Sequence, residues 1–227
     1  MPFIGKKPTA APLTSSDVAD GIITNAKLAQ DIISGDTALG AEPADTDEFL
    51  VSDAGTLKRV DYSYIKGGGI TEADQWRLHT SLTAPGTSLS FITANLERVD
   101  TAGQDKMGTG MSESSGVFSF PSTGYWYVKA FFEFQNDGSV ARYLQNQIHI
   151  TINNADYTMV TSATTHINGS GATYVTVPAT TLIDVTSTTN VKVKFGYTVV
   201  STSGGELLYG SSTLNRTYFD FIRLGDT

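Results

Sequence analysis

Tyr125-Trp126-Tyr127-Val128-Lys129-Ala130-Phe131-Phe132-Glu133-Phe134 is the stretch on which the fold turns. Its even positions, Trp126, Val128, Ala130, Phe132 and Phe134, are all apolar, and a period of two puts them on one face of an extended strand. That face belongs in a core. The odd positions, Tyr125, Tyr127, Lys129, Phe131 and Glu133, mix aromatic rings with charges. Such a face is too apolar for bulk water and too charged for a core, which suits a surface covered by another subunit.

The same period recurs on both sides. Val191, Val193, Phe195, Tyr197 and Val199 alternate with Lys192, Lys194, Gly196 and Thr198, which predicts a half-buried strand with a wet outer face. Ile148, Ile150 and Ile152 alternate with an outward His149 and Thr151. Further strands are expected at 87–92, 117–120, 174–177, 181–185 and 217–224. Short strands at this spacing, with long Gly/Ser/Thr loops between them, predict an antiparallel sandwich of jelly-roll topology over 70–227.

Ahead of it the pattern differs. Gly67, Gly68 and Gly69 carry no side chains and mark a domain boundary. Residues 47–66 read as a hairpin: a strand through Phe49–Val51, a turn at 52–55 and a return through Leu57–Val60. A short helix is expected from Asn25 to Ile33, capped by Thr24 and ended by Gly35. Helix and hairpin are each too small to stand alone, so 14–69 reads as a trimerising stalk or attachment region. Pro2, Pro8 and Pro12 keep residues 1–13 extended, with Phe3 and Ile4 as apolar groups for a partner surface. The fold class is thus mostly β: a jelly-roll sandwich preceded by an extended segment with a short helix and a hairpin.

Composition removes several functions. The formal charge is −8 and the pI about 4.7, so no basic field exists to attract phosphates or an anionic membrane. Residues 1–69 hold ten acids against six bases and 70–227 thirteen against nine, so neither part hides a basic module. Nucleic acid and membrane insertion are not expected as partners. The absence of cysteine excludes disulfides, thiolate metal sites and cysteine nucleophiles.

Candidate chemistry is sparse. His79, His149 and His166 belong to no metal-spaced pair, and no serine lies in a GxSxG elbow. Asp45, Asp47, Glu48 and Asp53 are acidic neighbours without EF-hand spacing, and read as a solvated loop. No catalytic residue, metal or cofactor is assigned. Ligand contact is expected in the loops, where sugar-compatible groups lie: Asn136 and Asp137, then His166 and Asn168, then Glu206 and Tyr209.

Two resemblances sharpen this. Gly116-Val117-Phe118-Ser119-Phe120-Pro121, Ser122-Thr123-Gly124-Tyr125-Trp126-Tyr127-Val128 and Tyr218-Phe219-Asp220-Phe221-Ile222-Arg223-Leu224 resemble the globular head of the C1q and tumour-necrosis-factor superfamily. That resemblance implies a homotrimer with the last aromatic strand at its centre, and an interface of Tyr125, Tyr127 and Phe131 with Phe219 and Phe221. Pro2-Phe3-Ile4-Gly5-Lys6, Ile22-Ile23-Thr24-Asn25-Ala26-Lys27-Leu28-Ala29 and Phe49-Leu50-Val51-Ser52-Asp53 look like the attachment region of phage tail-fibre and related virion proteins.

Together the resemblances imply a non-enzymatic phage structural protein, made in the host cytoplasm and carried on the virion. Pro2, Phe3 and Ile4 would anchor it to a tail adaptor or tube, and the head would meet a host-surface glycan. The alternative is a capsid decoration protein anchored to the major capsid protein. A secreted C1q-like lectin and a spike hydrolase are the readings from other classes.

Overall fold

The computed structural model describes residues 19, 37–83, 87–137, 140–168, 171–201 and 205–227. The anchor peptide with Pro2, Phe3 and Ile4, and the helix expected over 25–33, lie outside them. The chain divides into two compact units, Met1–Gly67 and Gly68–Thr227.

In the first unit, strands β1 (Glu48–Asp53) and β2 (Thr56–Asp61) form the expected antiparallel hairpin. Its two-residue turn uses Ala54 and Gly55 at φ 49° and 86°, the left-handed pair that matches the twist of the flanking strands. A four-residue helix, α1 (Tyr62–Ile65), follows. The acidic neighbours are tied locally: Asp53 pairs with Lys58, Glu48 with Arg59 and Asp45 with Lys66, while Asp47 accepts from the Ala44 amide at 2.9 Å.

The second unit is an antiparallel jelly-roll sandwich. Its strands are β3 (Ala73–Leu78), β4 (Leu82–Thr83), β5 (Ser90–Phe91), β6 (Leu96–Arg98), β7 (Ser112–Ser114), β8 (Val117–Ser119), β9 (Gly124–Asp137), β10 (Ala141–Thr151), β11 (Thr158–Ile167), β12 (Ala172–Val185), β13 (Lys192–Ser201), β14 (Leu207–Leu208) and β15 (Tyr218–Gly225). One sheet runs β11-β10-β13-β8-β7, with β5 on β13. The other runs β4-β14-β9-β15-β3-β6, with β12 on β9. After β8 the chain crosses to the second sheet for β9 and returns for β10 and β11. It crosses again for β12, returns for β13 and closes in β15. Those crossings are the jelly-roll connection.

Period two explains where each strand points. Trp126, Val128, Ala130, Phe132 and Phe134 are all fully buried, as are Val193, Phe195 and Val199 of the opposed β13. Aromatic rings join the sheets. Phe195 stacks on Phe219 with centroids 4.1 Å apart, and Phe118 lies 5.4 Å from Phe195 and 5.1 Å from Phe221.

Several expectations change here. Phe219 and Phe221, expected at a subunit interface, are both fully buried within one chain, on the inward face of β15. A neighbouring subunit cannot reach them. His149 keeps the outward parity of its strand but is not wet: it is buried, its Nε2 donates to Gln147 Oε1 at 2.8 Å, and its ring sits edge-on to Phe91 at 4.9 Å. Phe91 of β5, paired antiparallel beside β13 opposite Gly196, covers it. Ile152 is exposed, because β10 ends at Thr151 and alternation stops with it. The strands expected at 174–177 and 181–185 are one strand, β12, running through Pro178. Proline is tolerated because β12 is an edge that pairs only with β9.

Phe219→Ala is therefore a core deletion. It should lower the unfolding free energy by ~3–5 kcal/mol in denaturant titration. A loss below about 1 kcal/mol would put the ring back at the surface.

Candidate functional site

On the outward face of the second sheet, the odd residues of β9 meet outward residues of β15, β12 and β3 in three cross-strand rows. Strand register places Leu182, Tyr127, Ile222 and Ala73 in the first row. Thr180, Lys129, Asp220 and Gln75 form the second, and Pro178, Phe131, Tyr218 and Arg77 the third. Two largely apolar rows thus flank a polar one. Directly opposed residues are the close neighbours of a sheet, so each row is a contiguous strip; the exposed part of the third stops short of Arg77, whose side chain is buried.

The apolar rows are open. Leu182 is 57% and Tyr125, at the end of β9, 40% exposed, while Tyr127, Phe131, Tyr218 and Ile222 are half-buried. Phe131 and Tyr218 stack with centroids 5.0 Å apart at 28°. Scattered apolar residues on a surface need no explanation, but apolar side chains aligned across three strands, with aromatics on two of them, mark an interaction face.

The middle row is a hydrogen-bonded network. Lys129 Nζ donates to the Tyr218 hydroxyl at 3.2 Å and lies 3.7 Å from Asp220 Oδ2, over the rings of Phe131 and Tyr218 at 5.3 and 5.1 Å. Gln75 Nε2 donates to Asp220 Oδ1 at 2.5 Å and Asn215 Nδ2 to Gln75 Oε1 at 2.5 Å. The hydrogen bond to Tyr218, with the charge of Asp220 beside it, raises the Lys129 pKa above the ordinary lysine value against the opposing effect of burial. The ammonium stays charged. A satisfied polar row between apolar ones can set the orientation of a partner as well as hold it.

Tyr125, Tyr127 and Phe131 are thus brought together on this face, whereas Phe219 and Phe221 point away from it. Tyr218, Asp220 and Ile222 are interface candidates missed in the sequence. The signal was present: in β15 the mixed aromatic and charged register is the even one, the same kind of register that selected the odd positions of β9.

The expected ligand-contact residues do not converge. Asn136 and Glu206 are fully buried, so neither can meet a ligand from solution. The Asp137 side chain lies outside the described residues. His166 and Asn168 are exposed near the end of β11. Tyr209 is half-buried beside Tyr174 at 5.6 Å, with the Arg216 guanidinium 5.0 Å over its ring. Among the described residues no hydrogen bond or ring contact links Tyr209 to His166 or Asn168, and no group of three or more His, Asp or Glu side chains is placed to hold a metal ion.

No family model and no curated protein matches the chain. Among solved structures it is similar to murine APRIL at pH 5.0, with 8% identity, 67% of this chain and 98% of that chain covered, and a TM-score of 0.48. It is also similar to Eiger TNF from S. frugiperda, with 9% identity, 70% and 96% covered, and a TM-score of 0.48.

The Lys129–Asp220 pair gives a test by pH. A lysine whose folded pKa lies above its unfolded value of ~10.4 adds stability fully below that pH and loses it as pH rises through the folded value. Both side chains are mostly shielded, at 27% and 21% exposed. Lys129→Met should cost ~1–3 kcal/mol at neutral pH by leaving Asp220 without its cation, and should flatten the alkaline fall in stability. An unchanged alkaline limb in the variant would show that the pair contributes nothing.

Proposed function

We propose that the chain is a non-enzymatic structural protein of a bacteriophage particle. It assembles as a homotrimer through the outward face of the β9–β15 sheet, attaches to the virion by its N-terminal segment and presents the jelly roll to a host-surface glycan. The observation that carries the trimer is the pair of apolar rows around the Lys129–Asp220 network. A single sandwich has no third layer to cover them, and identical copies supply the same rows to each other around a closed ring.

Rotational symmetry suits this face. Three copies meeting on Tyr127, Phe131, Tyr218 and Ile222 would bury aromatic surface at the axis, with Lys129 and Asp220 from neighbouring copies brought near one another. The virion role rests on the likeness of Pro2–Lys6, Ile22–Ala29 and Phe49–Asp53 to phage attachment regions. A tail fibre is preferred to a capsid decoration because a projecting head with free loops has use for recognition. Localisation on the virion follows from that assignment.

Light scattering on the purified chain should give the mass of three chains of 24.2 kDa. Tyr127→Asp combined with Phe131→Asp should give a folded monomer, since the charges cannot be desolvated at a closed face. Deleting residues 1–13 should leave the trimer intact while particles assembled with the truncated chain lack it. A monomeric wild type, or a truncated chain retained on particles at the wild-type level, would contradict the trimer or the attachment respectively.

A further inference from the structure

The first sheet carries a cleft of about 520 Å³ on its outward side, between the β7–β8 hairpin, β13 and the turn joining β10 to β11. That is within the ~300–1,000 Å³ of small-molecule sites and far more than a bare inorganic anion fills. Lys192 and Lys194 enter it from β13, two residues apart on the same face.

Neither ammonium has a carboxylate partner among the described residues. Lys192 Nζ donates to Ser119 Oγ at 2.8 Å and to the Thr188 carbonyl at 3.4 Å. Lys194 Nζ lies over the Tyr157 ring at 4.1 Å and over Phe91 at 5.7 Å. Two half-buried cations are therefore steadied by neutral dipoles and ring faces, in a chain of net charge −8 with acids to spare. The one carboxylate lining the cleft, Glu113, has an oxygen engaged at 2.6 Å by the Gly116 amide in the β7–β8 turn. The cleft holds an excess of positive charge.

The remaining polar lining is rich in neutral hydrogen-bonding groups. Ser112 and Ser114 bring hydroxyls, Asn154 an amide and Tyr157 a phenol. Burial pushes the Tyr157 pKa up, so the phenol stays protonated and can donate. The rim is preorganised: Asn153 Oδ1 accepts from the Ala155 and Asp156 amides at 3.0 and 2.9 Å, and Asn154 sits at φ 58°. Hydroxyls and amides both donate and accept, and around a simple anion only their donor half would be used. They match a polyol.

We propose that this cleft binds an acidic saccharide, its carboxylate on Lys192 and Lys194 and its ring hydroxyls on the serines and Asn154. The inference rests on the carbohydrate-recognition part of the proposed function, not on the trimer or on virion attachment. It moves sugar contact from the loops to an outward sheet face.

Calorimetric titration of the full chain can test it with a tetrasaccharide alternating glucuronic acid and N-acetylglucosamine, and with neutral chitotetraose as control. The acidic sugar should bind about tenfold more tightly than the neutral one, and Lys192→Gln with Lys194→Gln should lose about tenfold. Asn168→Ala with Tyr209→Ala should bind as wild type. If the double lysine variant misfolds, Lys194→Gln alone serves, since its ammonium makes no hydrogen bond among the described residues; about threefold loss is expected. Binding kept in the lysine variants but lost in the loop variant would overturn the cleft and leave the head a sugar binder. No binding of either sugar would overturn both readings. Equal binding of the two sugars, or full displacement by an equal concentration of inorganic phosphate, would overturn the acidic saccharide.

Discussion

Strand β9 has apolar side chains on both faces, and a two-sheet sandwich covers only one of them. The inward face, from Trp126 to Phe134, is sealed against the opposite sheet by Phe195 and Phe118. The outward face keeps Tyr127 and Phe131 beside Tyr218 and Ile222 of β15, with Leu182 of β12 alongside. Leaving that strip in water forfeits hydrophobic free energy of roughly 25 cal/mol for every Å² exposed. A second layer is the physical remedy, and the jelly-roll connection has already spent its own strands.

Polar groups set inside this frame hold its geometry. Asn146, on the inward side of β10 between Leu144 and Ile148, donates to the Ala130 and Val177 carbonyls at 2.8 and 2.7 Å, tying one sheet to the other. A buried amide of this kind favours one alignment of the sheets over others that hydrophobic contact alone would accept. Asp74 does similar work in β3. Its carboxylate accepts from the Trp76 indole at 2.9 Å, the Met111 amide at 2.7 Å and Arg98 at 3.1 Å, pinning the segment before β7 to the sheet. The β3–β15 pairing beside it is what carries Gln75 to Asp220.

Much of the fold was legible because alternation is a local property. The buried sets of β9 and β13, and the hairpin with its turn, follow from residue order alone. What failed was non-local. His149 obeys the outward parity of β10, yet Phe91 of β5, from nearly sixty residues earlier in the chain, covers it. In β15, the resemblance to trimeric heads puts Phe219 and Phe221 at the interface, but the register with β9 turns them inward and Tyr218 and Ile222 outward. Asn136 and Glu206 looked like loop residues because neighbouring Gly, Ser and Asp are turn formers, but the long β9 and the short β14 region draw both into the interior. Lys192 and Lys194 read correctly as a wet face, and only the folded β7–β8 hairpin turns that face into a cleft.

Hydroxyl-radical footprinting of the intact protein tests, residue by residue, the proposal that copies of the same chain cover the outward β9–β15 face. Tyr127, Phe131 and Tyr218 should be protected to nearly the level of the buried Phe219, while Tyr64, 80% exposed in the other unit, is labelled freely. Dilution that dissociates the assembly should expose the three rings and leave Phe219 protected. Labelling of Tyr127 and Phe131 in the undiluted protein, at the rates their half-exposure in a single chain allows, would contradict the account.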